Sequence, residues 1–238
     1  MLLLALDNAE AACSAALWDG ARPAAGALRA HRRLSAARGQ ADHLIPLIDE
    51  LLRAADCDYG ALDALAVNCG PGSFTGVRSV VAAARGLALA AGLPVVGVGS
   101  LEALAEAVPG APAGALVAAL DARRGEIYLQ AFDRHKRPRA APAVMTPEQA
   151  AAGLGPGPLH LVGSGAPLLR AALPARRVAV LGSAELDACW VARCAARRLD
   201  GGEAPQPGHT LRPLYLRPPD ARPLVPLVAP AQAEAVEA

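Results

Sequence analysis

Short apolar runs alternate with longer segments of helical period through the first hundred residues of the chain. Runs of apolar and β-branched residues predict strands, at residues 2–6, 12–18, 25–33, 65–69 and 95–98. Apolar positions spaced three and four apart predict helices at residues 42–55 and 74–91, the second ending at Gly92 and Pro94. Ser100 is placed to cap a further short helix. Strands that alternate with helices indicate an α/β fold.

The opening pattern returns after residues 108–114, a Pro- and Gly-rich stretch that we interpret as a linker. Ala119-Leu120-Asp121 repeats Ala5-Leu6-Asp7 at an offset of 114 residues. Further strands are predicted at residues 125–132, 159–163 and 177–181, and helices from Thr146 and over 185–199. The repeat predicts two similar lobes, residues 1–108 and 114–217. The Pro- and Ala-rich tail, residues 218–238, is predicted to be disordered.

Composition excludes several classes of protein. Of the 238 residues, 53% are hydrophobic and 19% charged, which permits a packed core. With 23 basic and 22 acidic residues, the net charge of +1 excludes binding of nucleic acid mainly by bulk charge. Five cysteines without a C-x-x-C pair suggest neither a disulfide framework nor a zinc site. We see no signal peptide, and the apolar residues 79–99 contain Arg85 and Pro94, so we expect a soluble, cytosolic protein without membrane contact.

The segment Gly70-Pro-Gly-Ser-Phe-Thr-Gly-Val-Arg78 joins a predicted strand to a predicted helix. A Gly-rich turn before a helix can hold a phosphate on its backbone N–H groups. Alternatively, Gly70, Gly72 and Gly76 form a tight turn that lets the helix pack closely on the sheet. No lysine follows these glycines, so the segment is not a P-loop, and the residues favour the structural interpretation.

No catalytic constellation emerges from the remaining residues. Asp7 and Asp121, each at the end of a strand, could hold a metal or a phosphate-bound water, or could cap the following turns. There is no H-E-x-x-H and no G-x-S-x-G, so zinc hydrolases and α/β serine hydrolases lack their motifs. Basic clusters at residues 29–38, 134–139 and 193–198 are either solvated faces or auxiliary contacts to nucleic acid phosphate.

The predicted helices at residues 42–55 and 74–91 have more apolar surface than one core contact requires. Small residues line one stripe of residues 74–91: Ser79, Ala82, Ala83, Gly86 and Ala90. In residues 42–55 the apolar arc covers about half of the circumference, and it includes Leu44, Leu47, Ile48 and Leu51. The two helices either pack on each other within the chain or also bind a partner. These nine residues are therefore our candidates for partner binding.

The segment of residues 70–78, followed by Gly86-Leu-Ala-Leu and Gly92-Leu-Pro-Val-Val-Gly-Val, closely resembles the TsaB (YeaZ) family. Other segments match the same family in order, and the resemblance covers residues 2–221. They are Leu4-Ala-Leu-Asp7, Cys13-Ser-Ala-Ala-Leu17, His43-Leu-Ile-Pro-Leu47, Ser100-Leu-Glu-Ala-Leu104, Asp121-Ala-Arg-Arg-Gly-Glu-Ile-Tyr128, Pro213-Leu-Tyr-Leu-Arg217 and Pro219-Asp220-Ala221.

The resemblance implies an actin-like, sugar-kinase-like (ASKHA, ribonuclease-H-like) α/β fold with two similar lobes. It implies a non-catalytic scaffold that forms a heterodimer with TsaD, the subunit that transfers threonylcarbamoyl to the adenosine beside the anticodon of tRNAs reading codons that start with A. TsaE is a further expected partner, and tRNA an indirect or auxiliary one. We expect no cofactor on this chain, with ATP and metal on the partner subunits, and a homodimer where TsaD is absent. The alternative is an ATP-dependent phosphotransferase with magnesium between Asp7 and Asp121.

Overall fold

The computed structural model of the protein describes residues 1–22, 27–35, 40–110, 112–173, 178–180 and 184–217. The first half contains β1 (Leu2–Asp7), β2 (Ala12–Asp19), β3 (Leu28–Ser35), α1 (Gln40–Ala54), β4 (Ala64–Asn68), α2 (Phe74–Ala91), β5 (Val95–Val98) and α3 (Ser100–Ala107). The second half contains β6 (Ala115–Arg123), β7 (Glu126–Phe132), β8 (Ala143–Met145), α4 (Pro147–Gly153), β9 (Leu159–Val162), α5 (Ala166–Ala171), β10 (Val178–Val180) and α6 (Ala188–Asp200). The predicted disorder of residues 218–238 lies outside the described residues.

The first sheet has the strand order β3-β2-β1-β4-β5. The central strand β1 pairs antiparallel with β2 and parallel with β4, and β4 pairs parallel with β5. Residues Leu3 to Asp7 are completely buried because helices cover both faces of the sheet. A strand buried on both faces has an unbroken apolar sequence rather than an alternating one, which explains the opening run of the chain.

The second sheet repeats this arrangement with the order β8-β7-β6-β9-β10. Its central strand β6 pairs antiparallel with β7 and parallel with β9, as β1 does with β2 and β4. Asp7 ends β1, and Asp121 lies near the end of β6. The prediction of two similar halves is therefore confirmed for the two sheets, and the chain passes from the first sheet to the second between β5 and β6.

The last helix crosses back to the first lobe. By sequence position α6 falls within the predicted second lobe, residues 114–217, but it packs on β1 and β2. Its buried residues, among them Val191 and Ala195, share one hydrophobic core with Leu3 and Leu4. The first sheet is thus covered by a helix from the far end of the chain, and the N-terminal lobe is incomplete without it.

The remaining elements agree with the predicted pattern except in two respects. The prediction that Ser100 caps α3 is wrong: Gly99 is the N-cap, and Glu102 accepts a hydrogen bond from its N–H at 3.0 Å. The short elements β8 and α5 were not predicted, because three to six residues carry too little periodicity. Helix α2 has the bounds that were predicted. It is long and apolar enough to cross a membrane, but its buried valines pack on β4.

Candidate functional site

Helix α2 begins at a turn that is packed against the end of β1. Ser73 is the N-cap, and its Oγ accepts a hydrogen bond from Gly76 N–H at 3.3 Å. The N–H of Ser73 donates to the carbonyl oxygen of Ala9 at 2.7 Å. The residues that follow β1 therefore lie against the N-terminus of α2, where a bound phosphate would be.

The glycines of this turn are required by close approach. A Cβ at Gly72 would overlap the carbonyl oxygen of Ala9, and one at Gly76 would overlap that of Asn8. Gly70 has φ +96°, a conformation that side chains disfavour. The backbone of residues 8 and 9 thus lies directly against the turn. This geometry supports the structural interpretation of Gly70, Gly72 and Gly76.

A buried polar cluster lies beneath the turn. Asn68, the last residue of β4, donates from Nδ2 to Asp7 Oδ1 at 2.6 Å, and its Oδ1 accepts from Gly70 N–H at 2.9 Å and from Ser100 Oγ at 2.8 Å. Ser100 N–H in turn donates to the carbonyl oxygen of Gly70 at 2.8 Å. Asp7, Asn68 and Ser100 are completely buried. The cluster links the ends of two central strands to the turn that starts α2.

Among the residues that the structure describes, no cationic side chain forms an ion pair with Asp7. Its Oδ1 accepts from Asn68 and from Ala9 N–H, while Oδ2 has no hydrogen-bond partner among the described residues. Burial raises the pKa of its carboxyl to about 7, against the two hydrogen bonds, and the nearby carboxylates of Asp187 and Glu10 add to the rise. Compared with an exposed aspartate, this carboxyl keeps its proton up to a higher pH.

Asp121 in the second lobe accepts a hydrogen bond within the turn that follows it. Its Oδ1 accepts from Arg123 N–H at 2.7 Å, and Arg123 also pairs with the carboxylate at 3.2 Å. The N–H of Asp121 donates to Ser164, whose hydroxyl donates to Glu10 in the first lobe at 2.7 Å. Within the described residues no group of three His, Cys, Asp or Glu side chains could hold a metal ion.

Helix α2 leaves about half of its circumference uncovered. Gly76, Val77, Val80, Val81, Ala84 and Ala88 are buried on the inner side. The opposite side, which we name the exposed α2 face, consists of Phe74, Thr75, Arg78, Ala82, Arg85, Gly86, Leu89 and Ala90. Leu89 is 87% exposed, and a Cβ at Gly86 would meet no atom within 4 Å. An exposed face with this much apolar surface is typical of an interaction site.

The small-residue stripe predicted from the sequence only partly coincides with this face. Ala82, Gly86 and Ala90 are exposed, whereas Ser79 and Ala83 are half-buried. Ser79 Oγ accepts from Asn8 Nδ2 at 2.8 Å and donates to the carbonyl oxygen of Gly76. Partner binding by these five residues remains a prediction.

The candidates on α1 are a correction to the predicted partner surface. Leu44, Leu47, Ile48 and Leu51 all lie in the core of the first lobe, so a partner cannot reach them. The physical reason is that α1 covers β2 and β3 and also contacts α2. These contacts within the chain cover the apolar arc of α1. The side of α1 that faces solvent is formed by Asp42, Ile45, Asp49, Glu50 and Arg53.

An aromatic cluster at the start of α2 was not foreseen from the sequence. The rings of Phe74 and Tyr215 lie 5.6 Å apart, and the guanidinium of Arg78 lies 4.9 Å from the centre of the Phe74 ring. Both rings are about half exposed, at 57% and 50%. The signal that could have indicated them is scarcity, since the chain has only two Phe, three Tyr and two Trp.

Most side chains of the basic clusters that the structure describes form internal ion pairs. Arg32 pairs with Glu50 at 3.1 Å, and Arg33 pairs with Glu185 and Asp187. In the third cluster, Arg197 pairs with the buried Glu106 at 2.6 Å. The middle cluster differs, because its arginines at positions 134, 137 and 139 are exposed. Of the three basic clusters, this one is therefore the most accessible to nucleic acid phosphate.

Comparison with known proteins gives matches along most of the chain. The family model described as "TsaD: tRNA N6-adenosine threonylcarbamoyltransferase" matches residues 34–162. The tRNA threonylcarbamoyladenosine biosynthesis protein TsaB of Escherichia coli K12 is 39% identical over 135 residues, 56% of either chain. The chain thus spans about half the length of the curated TsaB relatives that it matches.

Two longer matches extend over both lobes. An uncharacterised protein of Mycobacterium tuberculosis H37Rv is 37% identical over 217 residues, 87% of this chain and 92% of its own. The crystal structure of a Pseudomonas aeruginosa protein with similarity to the peptidase YeaZ is 31% identical. It superposes with a TM-score of 0.78 and covers 91% of this chain and 99% of that one.

The two sheets have the same strand order, and each central strand pairs antiparallel with one neighbour and parallel with the other, so the chain is an α/β protein of two similar lobes. The family-model match and the similarity to TsaB and to a YeaZ-like structure identify the family to which this chain belongs. The chain belongs to the TsaB (YeaZ) family, which confirms the resemblance read from its motifs.

Proposed function

We propose that this protein is an accessory subunit in tRNA threonylcarbamoyladenosine biosynthesis, where it binds and supports the transferase TsaD. The observation that carries this proposal is the exposed α2 face. From Phe74 to Leu89 the face runs about 22 Å along the helix axis, at 1.5 Å per residue. That length suits a helix of the partner laid against α2, and the small side chains of Ala82 and Gly86 permit close approach.

The proposal assigns catalysis and cofactors to other subunits. The alternative of a phosphotransferase with magnesium between Asp7 and Asp121 has little support, because Asp7 accepts hydrogen bonds from Asn68 and Ala9, Asp121 accepts one from Arg123, and the described residues contain no group of three metal-ligating side chains. ATP and metal would bind to TsaD and to TsaE, a second proposed partner. tRNA would contact this chain through the exposed arginines at positions 134, 137 and 139. All five cysteines are free thiols, which fits a cytosolic protein.

The experiment mixes the protein with TsaD of the same organism and measures the mass of the complex by sedimentation. For the wild type we expect a one-to-one heterodimer with TsaD. When TsaD is absent, we expect two copies of the protein to associate through the exposed α2 face. Gly86→Arg and Ala82→Arg should weaken the complex at least tenfold because each puts a long cation on the exposed α2 face.

Ala152→Arg is the matched control, because Ala152 is an exposed helical alanine in α4 of the other lobe. This variant should bind like the wild type. Circular dichroism would check that each variant is folded. Absence of any complex at micromolar concentration would contradict the proposal, and equal affinity of all three arginine variants would contradict the choice of face.

A further inference from the structure

The segment of residues 213–217, Pro-Leu-Tyr-Leu-Arg, matched the family in sequence but has no role in the function described so far. It lies outside residues 34–162, the part that the transferase family model matches. The structure places it beside the start of α2, where Tyr215 contacts Phe74.

This segment is held firmly in place. Leu214 N–H donates to the carbonyl oxygen of Cys69 at 2.7 Å, directly before the glycine turn. Leu211 is buried in the core of the first lobe. At the far end, Arg217 pairs with Glu126 and donates to the carbonyl oxygen of Ala122 in the second lobe. Tyr215 thus lies between two fixed points, one on each lobe.

The position of the two rings is unusual for this chain. Only seven of its 238 residues are aromatic, yet two of them meet at the surface with about half of their area exposed. Arg78 stacks on Phe74 and has no ion pair with any described residue. Aromatic rings and arginine dominate the binding energy of protein interfaces, above all where they are preorganised.

We propose that Phe74, Arg78 and Tyr215 are the main binding determinants of the exposed α2 face, and that they receive a TsaD segment carrying a carboxylate opposite Arg78. Charge argues for this occupant. Helix α2 contains no acidic residue, and Arg78 and Arg85 are the charged groups of its exposed face. A carboxylate on the partner would pair with Arg78, while an apolar group beside it would cover the two rings. The inference rests on the proposed function.

The test is the dissociation constant of the complex with TsaD, measured by titration calorimetry at two salt concentrations. Tyr215→Ala and Phe74→Ala should each weaken binding about tenfold or more. Their double variant should lose less than the product of the single effects, because the rings contact each other. Arg78→Gln should weaken binding and also reduce its dependence on salt, since an ion pair is lost.

Leu168→Ala is the control, because Leu168 is an exposed apolar residue on α5 of the second lobe. It should bind like the wild type. If the wild type binds TsaD but the Phe74 and Tyr215 variants bind within twofold of it, the binding determinants lie elsewhere and the proposed function stands. If Arg78→Gln leaves the salt dependence unchanged, the predicted carboxylate is wrong. If the wild type does not bind TsaD, both the inference and the proposed function fail.

Discussion

The carbonyl oxygen of Asn8 occupies the space in which a side chain at Gly76 would begin. Asn8 directly follows β1, and Gly76 lies in the first turn of α2. The contact therefore fixes the start of the longest helix against the central strand of the first sheet. Asn8 Nδ2 strengthens it through its 2.8 Å hydrogen bond to Ser79, one turn further along α2.

We predict that Gly76→Ala destabilises the protein by about 2 to 3 kcal/mol, because the added methyl group overlaps a fixed backbone oxygen. Gly86→Ala is the matched control in the same helix. Its methyl group would meet open space, and the loss of glycine flexibility should stabilise the helix by about 0.5 to 1 kcal/mol. Urea unfolding measures both. Equal stability of the two variants would contradict the close approach.

Asp7 gives a second prediction, on pH. The pKa of its carboxyl is about 7 in the folded protein, against an ordinary value of 3.8, so the folded state holds the proton more tightly. Its contribution to stability is complete below pH 4 and is lost as pH rises through 7. Over this window the free energy of unfolding should fall by up to about 1.4 kcal/mol per pH unit.

Asp7→Asn removes this titration, and urea unfolding between pH 5.5 and 8.5 measures the effect. The wild type should lose stability with rising pH relative to the variant, which keeps a neutral group of the same shape. Asp121→Asn, at the matching strand of the other lobe, should keep the slope of the wild type because Asp7 is intact. Parallel curves for wild type and Asp7→Asn would show that Asp7 is ionised throughout.

Much of the fold could be predicted from the sequence because its helices and strands bury whole faces, and this burial leaves a regular pattern of apolar residues in the sequence. The apolar run before Asp7 and the helical spacing of apolar residues in α2 both result from burial between packed layers. Strand β5 was predicted with its observed bounds. The return of α6 to the first sheet could not be predicted. Its apolar stripe would fit either lobe equally well, and only the three-dimensional path of the chain decides between them.

The candidate site was predicted less completely. Periodicity identified α2 as a helix with two usable faces, but it could not show that the arc of α1 containing Leu44 and Leu51 is used by β2 and β3. Periodicity also cannot predict that Tyr215 contacts Phe74, because the two residues are 141 positions apart in the sequence and Leu214 is held next to Cys69 by a backbone hydrogen bond. Exposure, unlike period, is a property of the assembled molecule.

A third prediction concerns Glu106, a buried carboxylate near the end of α3. Arg197 lies 2.6 Å from its Oε1, and Lys136 and Arg193 lie 3.5 and 3.6 Å from its Oε2. Glu106→Gln would leave Lys136 buried without a counter-charge, so we expect a loss of about 3 to 5 kcal/mol in urea unfolding. Glu50→Gln, which breaks the exposed pair with Arg32, should change stability by less than about 1 kcal/mol. Similar losses in both variants would contradict the prediction.

A final prediction concerns Asp187, which joins the edge strand β3 to α6. Its carboxylate caps α6 through Cys189 N–H at 2.9 Å and pairs with His31 at 2.8 Å and Arg33 at 3.3 Å. Burial alone would raise its pKa, but the contact with His31 and the hydrogen bond from Cys189 N–H lower it to about 2. This contribution is present above pH 4 and is lost as pH falls through 2.

Asp187→Asn keeps a side chain that can cap the helix but removes the charge that holds His31 and Arg33. The variant should therefore be less stable than the wild type at pH 6, and the difference should shrink as pH falls below 4. Asp187→Ala should be less stable still, because the cap is lost as well. Thermal unfolding between pH 2.5 and 6 measures all three proteins. A difference between wild type and Asp187→Asn that stays constant over this range would mean that packing, rather than charge, makes Asp187 important.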